Sequence, residues 1–242
     1  MKKKLVLVTG ASRGLGLSIV KSLLLKNYTV ITTARGQTEE ISNLLEQYPE
    51  QLAFEPFDMA NTSEIKAFST MLTKKYGRLY ALINNAALGN DGVLATMHES
   101  DISTLIKVNI EAPILLSKYL SRGMLINQNG RIINISSIIS KTGYSGLSVY
   151  GATKAAMNGL TKSLARELGK ANVTVNAVLP GYMTTDMTSG LQGDKLDKIK
   201  RRSPLGSLAS TQHVSEMVTF LLSDAGDSIT GSEFTVDSGS TA

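Results

Sequence analysis

The sequence predicts an α/β protein, a doubly wound parallel sheet of about seven strands with helices on both faces. Three observations carry this. Apolar, β-rich runs alternate with segments of helical periodicity from one end of the chain to the other. The strand-like runs are apolar throughout rather than alternating, as strands covered on both faces are. A glycine-rich turn follows the first strand and opens the first helix, where such sheets receive anionic ligands. The 242 residues, 42% of them hydrophobic, are ample for a buried core. No Pro/Ser-rich linker, low-complexity tract or internal repeat divides them, so residues 1–242 read as a single domain.

Lys4–Thr9 is the expected first strand and Gly14–Lys26 the first helix, its buried face marked by Leu15, Ile19, Leu23 and Leu24. Tyr28–Thr33 reads as a strand, Glu39–Tyr48 as a helix, Leu52–Phe57 as a strand, Ser63–Tyr76 as a helix and Leu79–Ile83 as a strand. Two helical stretches, about Asp101–Ile110 and Ala112–Asn127, precede a strand at Arg131–Ile135. The helix Val149–Lys170 leads to the strand Val173–Val178, and Gln212–Leu222 to a last strand, Glu233–Val236. From Pro180 to about Ser210 runs one long irregular stretch with Gly181, Gly190, Gly193, Pro204 and Gly206. A loop of that length in a compact domain is usually functional, and residues 183–210 read as a substrate lid.

Composition removes several kinds of chemistry. Cysteine is absent, which excludes disulfides, thiolate nucleophiles, zinc knuckles and iron–sulfur clusters. The only histidines, His98 and His213, lie far apart, against a histidine metal site or a Ser-His-Asp triad. No purely hydrophobic run exceeds five residues, so no membrane span is expected. The opening Met1-Lys2-Lys3-Lys4 leads into apolar residues that break at Thr9-Gly10, too early for an export segment. It reads as a first strand at a cytoplasmic N-terminus. The net charge is +5, with the sequence pI at about 9.3. Basic residues cluster only at Lys2–Lys4 and Lys195–Arg202, the latter a solvated helix face, and tryptophan is absent. That pattern fits an anionic cofactor, a phosphorylated substrate or an acidic partner better than nucleic acid.

The glycine-rich turn is Thr9-Gly10-Ala11-Ser12-Arg13-Gly14-Leu15-Gly16. Glycines there permit a tight turn and close backbone approach, and the helix N-terminus offers N–H groups to a pyrophosphate; taken alone, such a turn is also compatible with a purely structural role. The second strand ends Thr32-Thr33-Ala34-Arg35, with an arginine where a carboxylate would grip ribose hydroxyls. Arg35 and Arg13 suit a 2′-phosphate and favour NADP over NAD, unless Arg35 is simply a surface residue. Tyr150 and Lys154 stand four apart at the start of a helix, one turn apart on one face. A lysine cation beside a phenol favours the phenolate and makes tyrosine a usable acid or base. The pair is common by chance, but its context is not. The fifth strand ends Asn134-Ile135-Ser136-Ser137 and the fourth Asn84-Asn85-Ala86-Ala87, on the rim where these sheets bind ligands. Ser137 can donate to a carbonyl oxygen, or merely end the strand. Asn109, in the helix between, reads equally as core.

Together, Thr9-Gly10-x-x-x-Gly14-x-Gly16, Asp58, Asn84-Asn85-Ala86, Asn109, Ser137, Tyr150-x-x-x-Lys154 and Pro180-Gly181 resemble the short-chain dehydrogenase/reductase family over essentially the full length. Within it the chain looks most like the β-ketoacyl-[acyl-carrier-protein] reductases, through Thr161–Leu168 and Leu179–Met187. The resemblance implies a Rossmann-type fold, bound NADP(H) and reduction of a 3-oxoacyl thioester or related ketone. It makes Tyr150 the general acid, Ser137 the group that polarises the carbonyl, and Lys154 the residue that lowers the Tyr150 pKa and binds the nicotinamide ribose. Asn109 would hold a helix open around a water in a proton relay. Gly10, Ser12, Arg13, Gly14, Leu15, Gly16 and Arg35 would bind the cofactor phosphates. Asp58 and Met59 would flank the adenine, Asn85 and Ala86 pass the ribose, and Pro180, Gly181, Met183 and Thr185 line the nicotinamide end. A homotetramer is implied, with Ala112–Asn127 and Val149–Lys170 at its main interface. Two departures stand out: Ala87 replaces the family's glycine, and Gln128 and Ala171 occupy positions where carrier-protein reductases often carry basic residues, with Lys170 and Arg122 nearby. The first is a mild change that removes some backbone freedom; Gln128 and Ala171 bear on docking of an acyl carrier protein, not on the reductase chemistry. Other readings of the same residues are an alcohol dehydrogenase of another small secondary alcohol and a catalytically silent NADP-binding regulator.

Overall fold

The computed structural model describes residues 4–90, 92–183 and 200–242. Its strands are β1 (Leu5–Thr9), β2 (Thr29–Thr33), β3 (Leu52–Phe54), β4 (Ala81–Asn84), β5 (Gly130–Ile135), β6 (Val173–Pro180) and β7 (Glu233–Val236). The helices are α1 (Gly14–Leu25), α2 (Glu39–Gln47), α3 (Ile65–Tyr76), α4 (Glu99–Ile106), α5 (Ala112–Asn127), α6 (Ser148–Leu168) and α7 (Thr211–Leu222). All strand pairs are parallel, in the order β3-β2-β1-β4-β5-β6-β7. This is the expected Rossmann-type sheet. The chain winds outward from β1 through β2 to β3, then restarts on the other side of β1 at β4. That reversal opens a crevice between the C-terminal ends of β1 and β4.

Alternate strand residues feed two apolar layers, which explains why the strands read as unbroken hydrophobic runs. Val6, Val8, Ile83 and Ile133 face one layer, closed by Ile19 and Leu23 of α1 and Val214 and Val218 of α7. Leu7, Leu82 and Ile132 face the other, closed by Phe68 and Leu72 of α3, Leu116 and Leu120 of α5, and Ala165 and Leu168 of α6. Helices α1 and α7 come close enough for the hydroxyls of Ser22 and Ser215 to lie 2.9 Å apart.

The differences from the expected boundaries have local causes. Regular pairing in β3 stops at Phe54, ahead of Pro56, although the Glu55 and Phe57 amides still bond to Thr32 and Ala34 carbonyls of the β2 side. Pro56 has no N–H to give. Strand β4 begins at Ala81, two residues later than expected, and β6 runs on to Pro180, whose partner in β7 is Val236. The two helices expected near residues 101 and 112 are one continuous rod, with a wide π-helical turn at Lys107–Glu111 joining α4 to α5. Of the expected lid at 183–210, residues 184–199 lie outside the described residues. Among the described residues no helix is long and apolar enough to cross a membrane.

Candidate active site

The crevice is a cleft of about 1140 Å³ across the C-terminal edge of the sheet. Its floor is where the turn after β1 meets the turn after β4. Gly10 has φ +66°, and a Cβ there would lie 2.7 Å from the Ala86 Cα. A Cβ on Gly16 would lie 2.4 Å from the Gly10 carbonyl oxygen and 2.6 Å from Asn85 Nδ2. Only glycine fits at either place. Polar groups fasten the same junction. Thr9 Oγ1 donates to the Ile83 carbonyl (3.2 Å) and accepts from the amides of Asn85 and Ala86, both at 3.0 Å. Asn85 Nδ2 donates back to the carbonyls of Thr9 (2.9 Å) and Gly10 (3.0 Å). The Asn85 amide therefore serves the turn itself, with its residue still on the cleft wall.

Helix α1 starts here with no carboxylate in its first turn and no side-chain cap from Arg13. Its N-terminal amides and positive dipole end face the cleft without a built-in anion. Arg13 and Arg35 are both exposed and both line this end. Thr38 sends its hydroxyl to the Ser12 carbonyl at 2.9 Å, tying the loop after β2 to the glycine-rich turn. Asp58 and the buried Met59 line the next stretch, with Asp58 Oδ1 accepting from the Ala60 amide at 2.9 Å.

At the other end lie Ser137, Tyr150 and Lys154. Ser137, just past β5, accepts at Oγ from the Ile139 amide (3.2 Å), which leaves its own proton to donate elsewhere. Lys154 is 4% exposed and donates from Nζ to the Ile135 carbonyl at 2.9 Å. Ser136 Oγ donates to the Lys154 carbonyl at 2.9 Å, locking β5 to α6. The Lys154 ammonium stands 5.6 Å from the centroid of the Tyr150 ring. Burial pulls the Lys154 pKa down from 10.5 to about 8, so at neutral pH it is still largely a cation.

That depression sets a pH dependence of folding. Below pH 8 the folded chain must hold a buried cation, at a cost of roughly 3 kcal/mol relative to the unfolded chain. Between about 8 and 10.5 the folded state sheds the proton while the unfolded state keeps it, so this cost is relieved as pH rises. Relative to Lys154→Met, the ligand-free protein should gain about 2 kcal/mol between pH 7 and 9.5 in urea unfolding. A gap between the two that stays constant with pH would refute the burial account.

Asn109 does not line the cleft but stands behind its wall, inside the π-helical turn and 1% exposed. Its Oδ1 accepts from the Leu88 amide (2.8 Å), and its Nδ2 donates to the Leu88 carbonyl (2.9 Å) and to Thr153 Oγ1 (3.1 Å). A single wide turn inside a helix is often found at a functional site, and here a side chain holds it.

A family model described as enoyl-(acyl carrier protein) reductase matches residues 10–241. The chain is 35% identical to the 3-oxoacyl-[acyl-carrier-protein] reductase FabG of Escherichia coli over 238 residues, 98% of this chain and 96% of that protein. The chain belongs to the short-chain dehydrogenase/reductase family. As a member it is an oxidoreductase acting on CH–OH and C=O groups. A Serratia marcescens short-chain dehydrogenase/reductase has a similar structure, with TM-score 0.92, 28% identity and coverage of 99% of this chain and 98% of that one. So does a Burkholderia cenocepacia gluconate 5-dehydrogenase in complex with NADP and tartrate, with TM-score 0.93, 25% identity and coverage of 100% and 96%.

The structure brings Gly10, Ser12, Arg13, Gly14, Leu15, Gly16, Arg35, Asp58, Met59, Asn85, Ala86, Ser137, Tyr150, Lys154, Pro180, Gly181 and Met183 onto one cleft. Thr185 lies outside the described residues. Gly181 is required by packing, since a Cβ there would lie 2.6 Å from the Asp237 Cβ. Of the two positions where carrier-protein reductases often carry basic residues, Gln128 is exposed, but Ala171 is 6% exposed and sits in the core. The sequence reading missed Thr38, Leu88 and Thr153. Thr38 directly precedes two glutamates, a helix-start signal, yet its hydroxyl serves the glycine-rich turn rather than capping α2. Leu88 acts through its backbone and leaves no trace in residue type.

Proposed function

We propose that the protein is an NADPH-dependent reductase of a 3-oxoacyl thioester, carried on acyl carrier protein or coenzyme A, or of a related ketone, giving the 3-hydroxy product. The observation that carries this is the joining of two features in one cleft: the phosphate-binding turn with Arg13 and Arg35 at one end, and Ser137, Tyr150 and Lys154 at the other. The residues fit NADP(H). The glycine-walled floor leaves room for close approach, the α1 N-terminus suits the pyrophosphate, and the two arginines suit a 2′-phosphate. Asp58 and Met59 would flank the adenine, Ala86 the ribose, and Pro180, Gly181 and Met183 the nicotinamide end, with Thr185 read into the same role. Bound NADPH supplies the hydride.

The chain's own residues do the rest. Ser137 donates its free proton to the substrate carbonyl and polarises it. Tyr150 protonates the oxygen as negative charge develops there. The Lys154 ammonium favours the phenolate that remains and holds the cofactor ribose. Asn109 keeps the π-helical turn open beside them for a water-borne return of the proton. We read this catalytic domain as working in the cytoplasm as a homotetramer through α5 and α6. Ile114 in the first turn of α5 supports the assembly, being an isoleucine left 40% exposed. Gln128 and Ala171 supply no charge for an acidic carrier protein, which leaves Lys170 and Arg122, both exposed, to do so.

A second reading, oxidation of another small secondary alcohol, is favoured by the similarity to the gluconate 5-dehydrogenase. The test is oxidation of NADPH, and separately NADH, with acetoacetyl thioesters of coenzyme A and acyl carrier protein. Turnover with NADPH supports the thioester reading. Tight NADPH binding with no turnover on either thioester refutes it and turns the search to other alcohols and to a silent cofactor-binding regulator. In the same assay Arg35→Ala should raise the KM for NADPH by about ten-fold or more, one lost charge-assisted phosphate contact, and leave NADH nearly unchanged. Equal losses would overturn the assignment of Arg35 to the 2′-phosphate.

A further inference from the structure

Thr153 occupies the position just before Lys154 and three after Tyr150, and its side chain is 1% exposed. Its hydroxyl donates to the Tyr150 carbonyl at 2.7 Å. A hydroxyl has one proton, and this bond uses it. The remaining lone pairs are what Asn109 Nδ2 meets at 3.1 Å. The Asn109 carboxamide is thereby fully occupied: Leu88 takes the oxygen and one N–H, and Thr153 takes the other N–H. Three elements meet at this one amide: the loop after β4, which lines the cleft at Leu88; the π-helical turn; and the first turns of α6, which carry Tyr150 and Lys154.

We propose that Thr153 is a positioning residue for the reductase reaction, whose hydroxyl fixes the plane of the Asn109 amide and so holds the π-helical turn and the Leu88 wall in register with Tyr150 and Lys154. The Leu88 backbone settles which end of the amide points where, but both of its bonds come from one element, the loop after β4. The Thr153 hydroxyl adds the contact from the opposite element. Replacing it with an apolar group of the same shape leaves a buried N–H unpaired. The carboxamide then turns toward another acceptor, and the wide turn that it anchors loosens. Side chains that touch the substrate stay in place, but the groups around them lose their alignment.

This inference rests on the reading of Tyr150 and Lys154 as the proton donor and its cationic partner. The test compares Thr153→Val, Thr153→Ser and Tyr150→Phe with the unaltered protein. Thr153→Val should lower kcat with NADPH and acetoacetyl-coenzyme A by about ten-fold, the scale of a misaligned proton transfer. The KM for NADPH should stay within about twofold. In the ligand-free protein, amide hydrogen exchange should quicken at Leu88 and across residues 107–111. Thr153→Ser, which keeps the hydroxyl and loses the methyl, should restore kcat and slow exchange. Should Thr153→Val fail to fold, Thr153→Ala carries the same expectations. The inference is overturned by a valine variant with unaltered kcat and exchange, or by a serine variant that falls as far as valine. Turnover persisting in Tyr150→Phe would sink the underlying catalytic reading instead, while the exchange comparison would still decide whether Thr153 holds the turn.

Discussion

Tyr150→Phe should lower kcat by about 10²–10⁴-fold, the range that one positioned proton donor contributes, while NADPH binds with nearly unchanged affinity. The phenyl ring keeps the shape of the cleft wall and its place 5.6 Å from the Lys154 ammonium; only the hydroxyl goes. Ser137 still donates to the carbonyl, so hydride transfer is left with a polarised oxygen and nothing to protonate it. The oxygen must then take its proton from water. Water is a much weaker acid than a phenol, and so a far weaker donor. Stopped-flow oxidation of NADPH, paired with a cofactor titration on the same variant, separates the two quantities. Loss of less than about ten-fold in turnover would assign the acid elsewhere. Loss of cofactor affinity to match would make Tyr150 a binding residue rather than a catalytic one.

The placement of the candidate catalytic side chains was legible in the sequence because they stand at fixed spacing on elements whose periodicity is plain. Tyr150 and Lys154 share a face of α6 because they are four apart. Ser137 reaches the rim because β5 ends just before it. The parallel, two-sided sheet followed from apolar strands alternating with helices. What escaped was carried by backbone. Composition and periodicity in residues 101–127 do not mark the π-helical turn, because a single widened turn keeps φ and ψ in the helical region; only the family resemblance pointed to an opened helix at Asn109. At that turn the Asn109 carboxamide bonds to the Leu88 backbone, 21 residues away, and the two predicted helices were the two halves of the rod it joins. Thr153 escaped for a related reason. A threonine inside a helix is an ordinary residue until an amide from another element reaches it. Asn85 shows the converse, since its motif was readable but its carboxamide serves the β1 turn. Pattern gave the residue, and only packing shows which atoms it commits.

Gly16→Ala tests that packing most severely, because two effects of opposite sign compete at one helical position. In α1, alanine should favour the helix over glycine by about 1 kcal/mol. The added Cβ, however, would sit 2.4 Å from the Gly10 carbonyl oxygen and 2.8 Å from the Ala11 Cα. Both are backbone atoms, unable to swing aside as a side-chain end would. The Cβ would also sit 2.6 Å from Asn85 Nδ2, so relief must move α1 away from the β1 turn or displace that amide and break its bonds to the Thr9 and Gly10 carbonyls. Overpacking of a tight site costs typically 1–3 kcal/mol, and lost hydrogen bonds add to it. The clash wins, with a net destabilisation of about 2 kcal/mol expected in urea unfolding of the ligand-free protein. Displacing the α1 N-terminus also moves the amides that face the pyrophosphate, so NADPH affinity should fall by about 100-fold, a loss that comes from shifting an anion site built of fixed dipoles. A variant that is more stable than the parent and binds NADPH equally well would show that the β1 turn yields freely, and would remove the close approach of Gly16 to Gly10 from the account of how this cleft is made.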